Sequence, residues 1–539
     1  MSRNFYKIKN ANNPNMAQFT LPLGYTKEDL TYAITRVANG REYTIKRAID
    51  ARDKNHILFI FTLYFNDAAT SADDFAHKLE EMRSAIDDKT KQQKVIIVGA
   101  GPAGLFCAYI LSKMGVSPLV IEQGAKVEQR VEDIQTFFKQ GKLNPLSNVQ
   151  FGEGGAGTFS DGKLTTRVKS PFVNYCLKVL VENGAPDDIL IESKPHIGTD
   201  LLRDVVKNIR HSIIGMGGKF LFNTKVDDFL FHNNKIVGVV AGVQQIVADK
   251  VVLAIGHSSR DTYLKLFNLG VNMQPKSFAV GVRIEHSAEF IGNALYGKNY
   301  THPMLVSNCG YNLAAQVGTR GCFTFCTCPG GEVVSAASQI GHVVTNGMSN
   351  HARDNANTNT AILVSVTPAD FADNTPLGGI KFQQHYEALA YKISAEAGLD
   401  YCPPACTLVE LTSFINGVPP KTWGAFGDIK PSVQRGVVGA NIADCLPNFV
   451  TETIVEGINK FDKKIKGYAN PLSPIIAPEM RSSAPLRIMR DPKTLQSISH
   501  SGVYPIGEGS GYSGGIVSSA IDGVLCGLRI CGGVNYLEY

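Results

Sequence analysis

From Lys94 onward, short apolar runs alternate with glycine-rich turns and helix-length segments. Lys94-Val-Ile-Ile-Val98 carries successive apolar side chains, the pattern of a strand buried on both faces. Leu105-Phe-Cys-Ala-Tyr-Ile-Leu-Ser-Lys-Met114 reads as a helix stopped by Gly115, and Pro118-Leu-Val-Ile121 as a second strand ending in Glu122. Lys250-Val-Val-Leu-Ala-Ile-Gly256 and Gly502-Val-Tyr-Pro-Ile506 predict two more strands, the latter leading into a helix from Gly515. Strands alternating with helices predict a doubly wound α/β domain. The texture holds to about residue 270, gives way to Gly, Pro and Cys clusters, and returns from about residue 451. That return predicts one discontinuous domain, residues 91–270 and 451–539, interrupted by an inserted α+β domain over 271–450.

Ahead of it, residues 1–90 predict a small α/β domain. Thr26 is placed to cap a helix running to Asn39, with Gly40 as its stop. Arg41–Asp50 and Ile57–Phe65 read as strands, Ser71–Ile86 as a helix, and Asp87–Gln93 as a charged linker.

Composition narrows the class. The chain has 539 residues, 44% apolar and 19% charged, as in ordinary globular proteins of two or three domains. A net charge of +5 is too small, spread over this length, to argue for nucleic acid, which is not an expected partner. The apolar run His56–Phe65 is about half the roughly 20 residues a membrane-spanning helix needs, so no membrane association is expected. The first residues lack the apolar core of a signal peptide. Eleven scattered cysteines argue against a disulfide framework, and the expected compartment is the cytoplasm.

The pattern G-x-G-x-x-G occurs three times. In Gly99-Ala-Gly101-Pro102-Ala103-Gly104 it sits between a strand and a helix, and Glu122 follows at the end of the next strand. There Gly99 makes the turn, Gly101 admits a pyrophosphate, and Gly104 lets helix and strand pack. The helix N-terminus faces the phosphates, and the acid accepts from ribose hydroxyls. Gln123 and Arg130 are further candidates for this ligand, Arg130 for its pyrophosphate or adenine. Gly152-Glu-Gly154-Gly155-Ala156-Gly157 has neither an apolar strand before it nor a helix after it, and with Thr158 reads as a loop that approaches a flat ligand closely. Gly509-Ser-Gly-Tyr-Ser-Gly514 lies too near the C-terminus for a second nucleotide fold. It reads as a device for aiming the helix that starts at Gly515 and Ile516 at the same ligand.

An ADP-binding loop serves FAD or NAD alike. The late elements favour FAD: the strand ending at Gly256, the Gly507-Glu508-Gly509 turn whose acid would hold the ribityl chain or pyrophosphate, and Val226 with backbone for adenine. At this point the chain resembles the family of uncharacterised bacterial FAD-dependent dehydrogenases from about residue 30 to the end. The words that carry the resemblance are Val98-Gly-Ala-Gly-Pro-Ala-Gly-Leu105, Asn148–Thr165, Lys194-Pro-His-Ile-Gly-Thr-Asp200, Phe325-Cys-Thr-Cys-Pro-Gly-Gly331 and Gly507-Glu-Gly-Ser-Gly-Tyr-Ser-Gly-Gly-Ile516. The resemblance implies FAD and a discontinuous, two-dinucleotide-type Rossmann domain with an inserted domain. It implies no substrate.

The expected activity is that of an FAD-dependent oxidoreductase acting on a small-molecule substrate, with NAD(P)H as a possible transient donor. Two alternatives stay open: a flavoprotein that acts on RNA through the basic groups of residues 41–54, and a regulatory FAD-binding protein. Lys163, and after it Arg167, are candidates for a cation beside the flavin. Cys322, Cys326 and Cys328 would share one face of an unbroken strand, as structural thiols, a redox pair or, lacking a fourth ligand, a poor metal site. No metal is expected. His196, Arg283, Glu285, His286 and Arg353 are polar candidates for a substrate pocket or a proton donor, and Arg481 and Arg487 for binding an acidic substrate or fixing the domain junction.

Overall fold

The fold was analysed in a computed structural model, which describes residues 6–10, 14–65, 72–306 and 308–532. A parallel sheet lies at its centre, in the spatial order Val503–Pro505, Lys250–Leu253, Val95–Val98, Leu119–Ile121, Lys219–Leu221. The chain turns from one side of Val95–Val98 to the other, so the strand order reverses beside the first glycine loop. Open α/β sheets bind ligands at such a switch point, outside the carboxyl ends of the strands.

Two helices cover one face of this sheet, Pro102–Lys113 and Ile516–Ile530. The first is buried along its whole length from Ala103 to Ser112. They pack unusually close because Gly523 and Gly527 face the first helix: a Cβ on Gly523 would overlap the Ala103 carbonyl, and one on Gly527 would lie 2.8 Å from Ile110 Cγ2. Pro102 starts the first helix three residues before the apolar run, because proline at the first position loses no intrahelical hydrogen bond.

The inserted unit is built on a seven-stranded sheet ordered Ala314–Val317, Arg320–Cys328, Asn357–Val366, Phe278–Ser287, Pro474–Glu479, Pro404–Thr407, Val438–Gly439. It therefore runs past the expected boundary at residue 450. Helix Asn448–Asp462 packs on this sheet, and Pro474–Glu479 pairs with Phe278–Ser287. Both read locally as returning α/β texture; periodicity does not say which sheet a strand joins. The chain enters through Met273–Pro275 and leaves through Leu486–Ile488, which pair antiparallel.

At the N-terminus, the helix Lys27–Ala38 starts in a capping box between Thr26 and Asp29 and ends with Asn39 in the left-handed region. Four antiparallel strands stand beside it, in the order Tyr6–Asn10, Met16–Pro22, Leu58–Phe65, Tyr43–Asp50. The charged segment 87–93 folds as a short helix, Asp88–Lys91, capped by Asp87, rather than as a bare linker. Helix Ala72–Ala85 belongs to the neighbouring domain's layer: Phe75 meets Phe172 and Tyr175 of helix Phe172–Glu182 edge-on. No helix among the described residues is long and apolar enough to cross a membrane.

Candidate cofactor site

All three glycine loops meet at the carboxyl ends of the central strands. Gly99 leaves its strand at φ +104° and its N–H donates to the Ile121 carbonyl (2.8 Å). The Gly154 N–H donates to the Ala100 carbonyl (2.8 Å), which ties the second loop to the first. A Cβ on Gly155 would lie 3.1 Å from Gly101 Cα, and one on Gly157 3.0 Å from Ile516 Cγ1. A Cβ on Gly507 would lie 2.7 Å from Ala103 Cβ, and one on Gly509 2.6 Å from the Gly256 carbonyl oxygen. Gly256 stands at φ +71° with open space where a side chain would be.

The cradle fits FAD. A Cβ on Gly101 would meet nothing nearer than Gly155 Cα at 3.8 Å, so the space in front of this backbone is free for a pyrophosphate. Two helices begin here, at Pro102 behind Gly101 and at Ile516 behind Gly515. Each offers first-turn N–H groups without intrahelical partners and a positive dipole end. The Glu122 carboxylate accepts from the amides of Ala100 (2.8 Å), Gly124 (3.0 Å) and Gly152 (3.0 Å). Those bonds hold the side chain in place, and its two oxygens keep further lone pairs for ribose hydroxyls. Beside it, partly exposed Gln123 precedes Gly124. The Thr224 N–H donates to the Glu122 carbonyl (3.0 Å), which lays the chain leading to Val226 along the same edge. Glu508 is half-buried just before the third loop, and its carboxyl group makes no hydrogen bond with the described residues. Burial raises its carboxyl to about 7, against the opposing pull of Lys276. A partly desolvated acid whose carboxyl lacks a hydrogen-bond partner suits the hydroxylated chain of FAD.

Several expected ligand contacts resolve into other roles. Arg130 does not reach the cleft. It is wholly buried, and its guanidinium donates to the carbonyls of Asn148 (2.9 Å), Val149 (3.0 Å), Gly152 (3.3 Å), Glu153 (2.7 Å) and Gly155 (2.9 Å). The second glycine loop is wound around this side chain. Sequence position could not show this, because the partners are backbone carbonyls that any residue carries. Thr158 turns its hydroxyl into the loop against Gly154, buried and unpartnered, instead of toward a ligand. Ala156 and Gly157 open a 3-10 turn, Ala156–Phe159, where only loop was expected.

Lys163 points toward the inserted domain. Its ammonium pairs with Asp161 (2.8 Å) and donates to the Thr327 carbonyl. Arg167 is exposed. The three cysteines do not share a face. Strand Arg320–Cys328 bulges between Phe325 and Cys328, and Cys326 stands at φ +45°. Cys322 is buried where Gly457 of helix Asn448–Asp462 packs. Cys326 and Cys328 are thrown together beside Lys163.

The polar candidates divide between two clusters. Asp161 takes Arg353 Nε (2.9 Å) as well as Lys163, and burial, which opposes ionisation, is outweighed by these cations so that its carboxyl is held low. His196 stacks on His351 with ring centres 5.3 Å apart; burial and then Arg353 bring it down to about 4, which keeps it neutral. Arg283 pairs with Glu479 (2.9 Å). Glu285 pins Ser432 and Asn357, and His286 bonds the Tyr468 carbonyl, so both hold the inserted domain together. At the junction, Arg481 and Arg260 grip Glu387 from both sides (2.7 Å each). Arg481 was legible as a junction candidate; Arg260 and Glu387 were not, lying outside any motif. Arg487 stands over the Tyr512 ring.

The fold and this cleft define a flavoprotein of the two-dinucleotide type, with FAD as its cofactor. Residues 92–132 match the family described as FAD binding domain, and residues 277–482 match the one described as FAD-dependent protein, C-terminal domain-like. A protein of Clostridium beijerinckii (strain ATCC 51743 / NCIMB 8052), described as uncharacterized, is 43% identical over 513 residues, 93% of this chain and 92% of its own. The chain belongs to this family of FAD-dependent proteins. Distant likenesses include glycine oxidase from Geobacillus kaustophilus, with 10% identity, 81% of this chain and 94% of that one covered, and a TM-score of 0.35. CtdE in complex with FAD has 12% identity, 82% and 88% coverage, and a TM-score of 0.31. Neither bears on this chain's chemistry.

Proposed function

We propose that this protein is an FAD-dependent oxidoreductase that exchanges a hydride between a small-molecule substrate and flavin N5. FAD, when bound, supplies the two-electron chemistry, and the protein binds it, orients it and shields it from water. The observation that carries the reading is the convergence of the three glycine loops on one cleft with an unpartnered acid, Glu508, at its edge. Gly101 and the N-terminus at Pro102 would take the pyrophosphate, Glu122 the ribose, and Glu508 the ribityl chain. The substrate would lie between the FAD domain and the inserted domain. NAD(P)H would reach the flavin as a visitor, because the described residues hold no second strand–loop–helix with its own ribose acid.

The RNA alternative draws less support from the N-terminal domain, where some of its basic groups are engaged. Arg47 pairs with Glu192, Arg52 with Asp50, and Lys46 donates to the Leu190 carbonyl (2.9 Å). The test is to purify the protein, identify the released cofactor, and screen NADH, NADPH and metabolite pools for anaerobic bleaching of the flavin. A bleaching metabolite establishes the activity. A colourless protein that FAD does not reconstitute overturns it, and reduction by dithionite alone transfers the assignment to a regulatory flavoprotein.

A further inference from the structure

Cys326 differs from the other ten cysteines: they are buried, and it is partly exposed. It also adopts the left-handed backbone region, which costs a non-glycine residue strain and calls for an explanation. The surroundings hold that conformation in place. Arg283 Nη1 donates to the Cys326 carbonyl (3.3 Å), and Lys163 donates to the next carbonyl, that of Thr327.

The bulge has a geometric consequence for the two thiols. In an extended strand, Cα atoms two residues apart stand roughly 6.6 Å from each other, near the upper limit for a disulfide. The bulge between Phe325 and Cys328 breaks that regular spacing. Cys328 Sγ lies 3.3 Å from the Cys326 carbonyl and within hydrogen-bonding reach of Cys326 Sγ, so its one S–H proton serves one acceptor or the other.

The charges around the pair favour an anion. Lys163 and Arg283 act directly on the Cys326 sulfur, within a network that also holds Arg353 and the carboxylates Asp161, Glu479 and Glu285. The hydrogen bond from Cys328 holds the Cys326 thiol well below its ordinary range; burial opposes this, and Lys163 and Arg283 reinforce it. The same hydrogen bond, together with burial, pushes Cys328 well above. Two thiols driven apart in this way divide into an attacking and a resolving group.

We propose that Cys326 and Cys328 form a redox-active dithiol that exchanges with low-molecular-weight disulfides, Cys326 attacking and Cys328 resolving. Cys326 Sγ, as thiolate, attacks one sulfur of the disulfide. A mixed disulfide forms, and the other half leaves as a thiolate with the electron pair of the broken bond. Cys328 then gives up its proton, its sulfur attacks Cys326 Sγ, and the second thiolate leaves as the Cys326–Cys328 bond closes. The dithiol has lost two electrons, and the disulfide has gained them as one thiol and one thiolate. Half-exposed Phe325 offers an apolar surface beside the entrance.

The reduced, FAD-loaded protein is treated with oxidised glutathione, quenched, and mapped by mass spectrometry, with flavin absorbance read in parallel. Wild type should give the Cys326–Cys328 disulfide. Cys328→Ser should stop with one glutathione on Cys326, and Cys326→Ser should give neither product. With iodoacetamide at pH 6.5, Cys326 should react about tenfold faster than an ordinary exposed cysteine. Lys163→Met should remove that advantage and Lys163→Arg should restore it. Glutathione landing on another cysteine, or Cys326 alkylating at the ordinary rate, would overturn the proposal. Flavin retained in those samples would leave the FAD reading intact.

Discussion

Gly101 and Gly104 stand in one loop and do opposite jobs. A Cβ on Gly104 would run into the Gly99 carbonyl and lie 3.3 Å from Ala254 Cβ, so this glycine serves the packing of helix on strand. A Cβ on Gly101 would meet only Gly155 Cα at 3.8 Å and its backbone is not left-handed, so neither packing nor φ requires this glycine, as a proposed ligand position would have it. Gly104→Ala should lower unfolding stability by about 1–3 kcal/mol in urea titrations. Gly101→Ala should leave that stability unchanged while weakening FAD binding roughly 10- to 100-fold. Unaltered FAD affinity in Gly101→Ala would displace the pyrophosphate from this loop. Glu508 makes a pH prediction. Its carboxyl stands at about 7 in the ligand-free fold, above the ordinary value of 4.5, so folding favours its protonated form. The stability this contributes is complete below pH 4.5 and is lost as the pH rises through 7. Hydroxyl donors from FAD would favour the ionised form. FAD affinity of the stripped protein should therefore rise roughly tenfold between pH 5.5 and 8, and Glu508→Gln should flatten the curve. Fluorescence quenching of FAD reads both.

Local signals served the elements well where the partner was local. Thr26 and Asp29 make the predicted cap, and Gly99 makes the predicted turn. They failed where the partner was distant. Strand Arg320–Cys328 read as continuous, yet its bulge follows from Arg283 and Lys163, which hold the Cys326 and Thr327 carbonyls from other segments. The second glycine loop likewise depends on Arg130, a residue of helix Val127–Gln140. Arg130→Met would strand the carbonyls of Asn148, Val149 and Glu153, while those of Gly152 and Gly155 keep backbone donors, and should cost about 3 kcal/mol, with loss of FAD. Urea denaturation and flavin absorbance check the two effects. Retained stability would mean the loop holds its own shape.

Across the whole molecule, the FAD domain and the inserted domain meet at Glu387. Helix Gly378–Glu396 presents this carboxylate to Arg260, which opens helix Arg260–Asn268 in the FAD domain, and to Arg481. Arg481 Nη1 also reaches Ser258 (3.1 Å) and Ser338 (2.6 Å), one hydroxyl from each domain. Glu387→Gln would leave two arginines short of their counter-charge, and should destabilise the protein by roughly 3–5 kcal/mol and expose the junction to limited proteolysis. Burial opposes ionisation of Glu387, but Arg260 and Arg481 outweigh it and bring its carboxyl to about 2. That contribution is present above pH 4.5 and is lost as the pH falls toward 2, so the junction should become open to protease as the pH approaches 2. A junction that resists protease there would refute this.

The sequence by itself determined the cofactor fold: its strands, its turn glycines, the two helix starts and the acids Glu122 and Glu508. Those features are local, because a buried strand, a left-handed turn or a helix N-terminus restricts the residues that form it. Only the tertiary structure decided that the three glycine loops share one cleft, that Pro474–Glu479 belongs to the inserted sheet, and that Arg130 and Glu387 bear on loop and junction. It also separated Cys322 from Cys326 and Cys328, where a strand's alternation would have aligned them. The reason is the same in each case. Backbone carbonyls and distant counter-charges leave no pattern along the chain, and they act only once folding has brought them together.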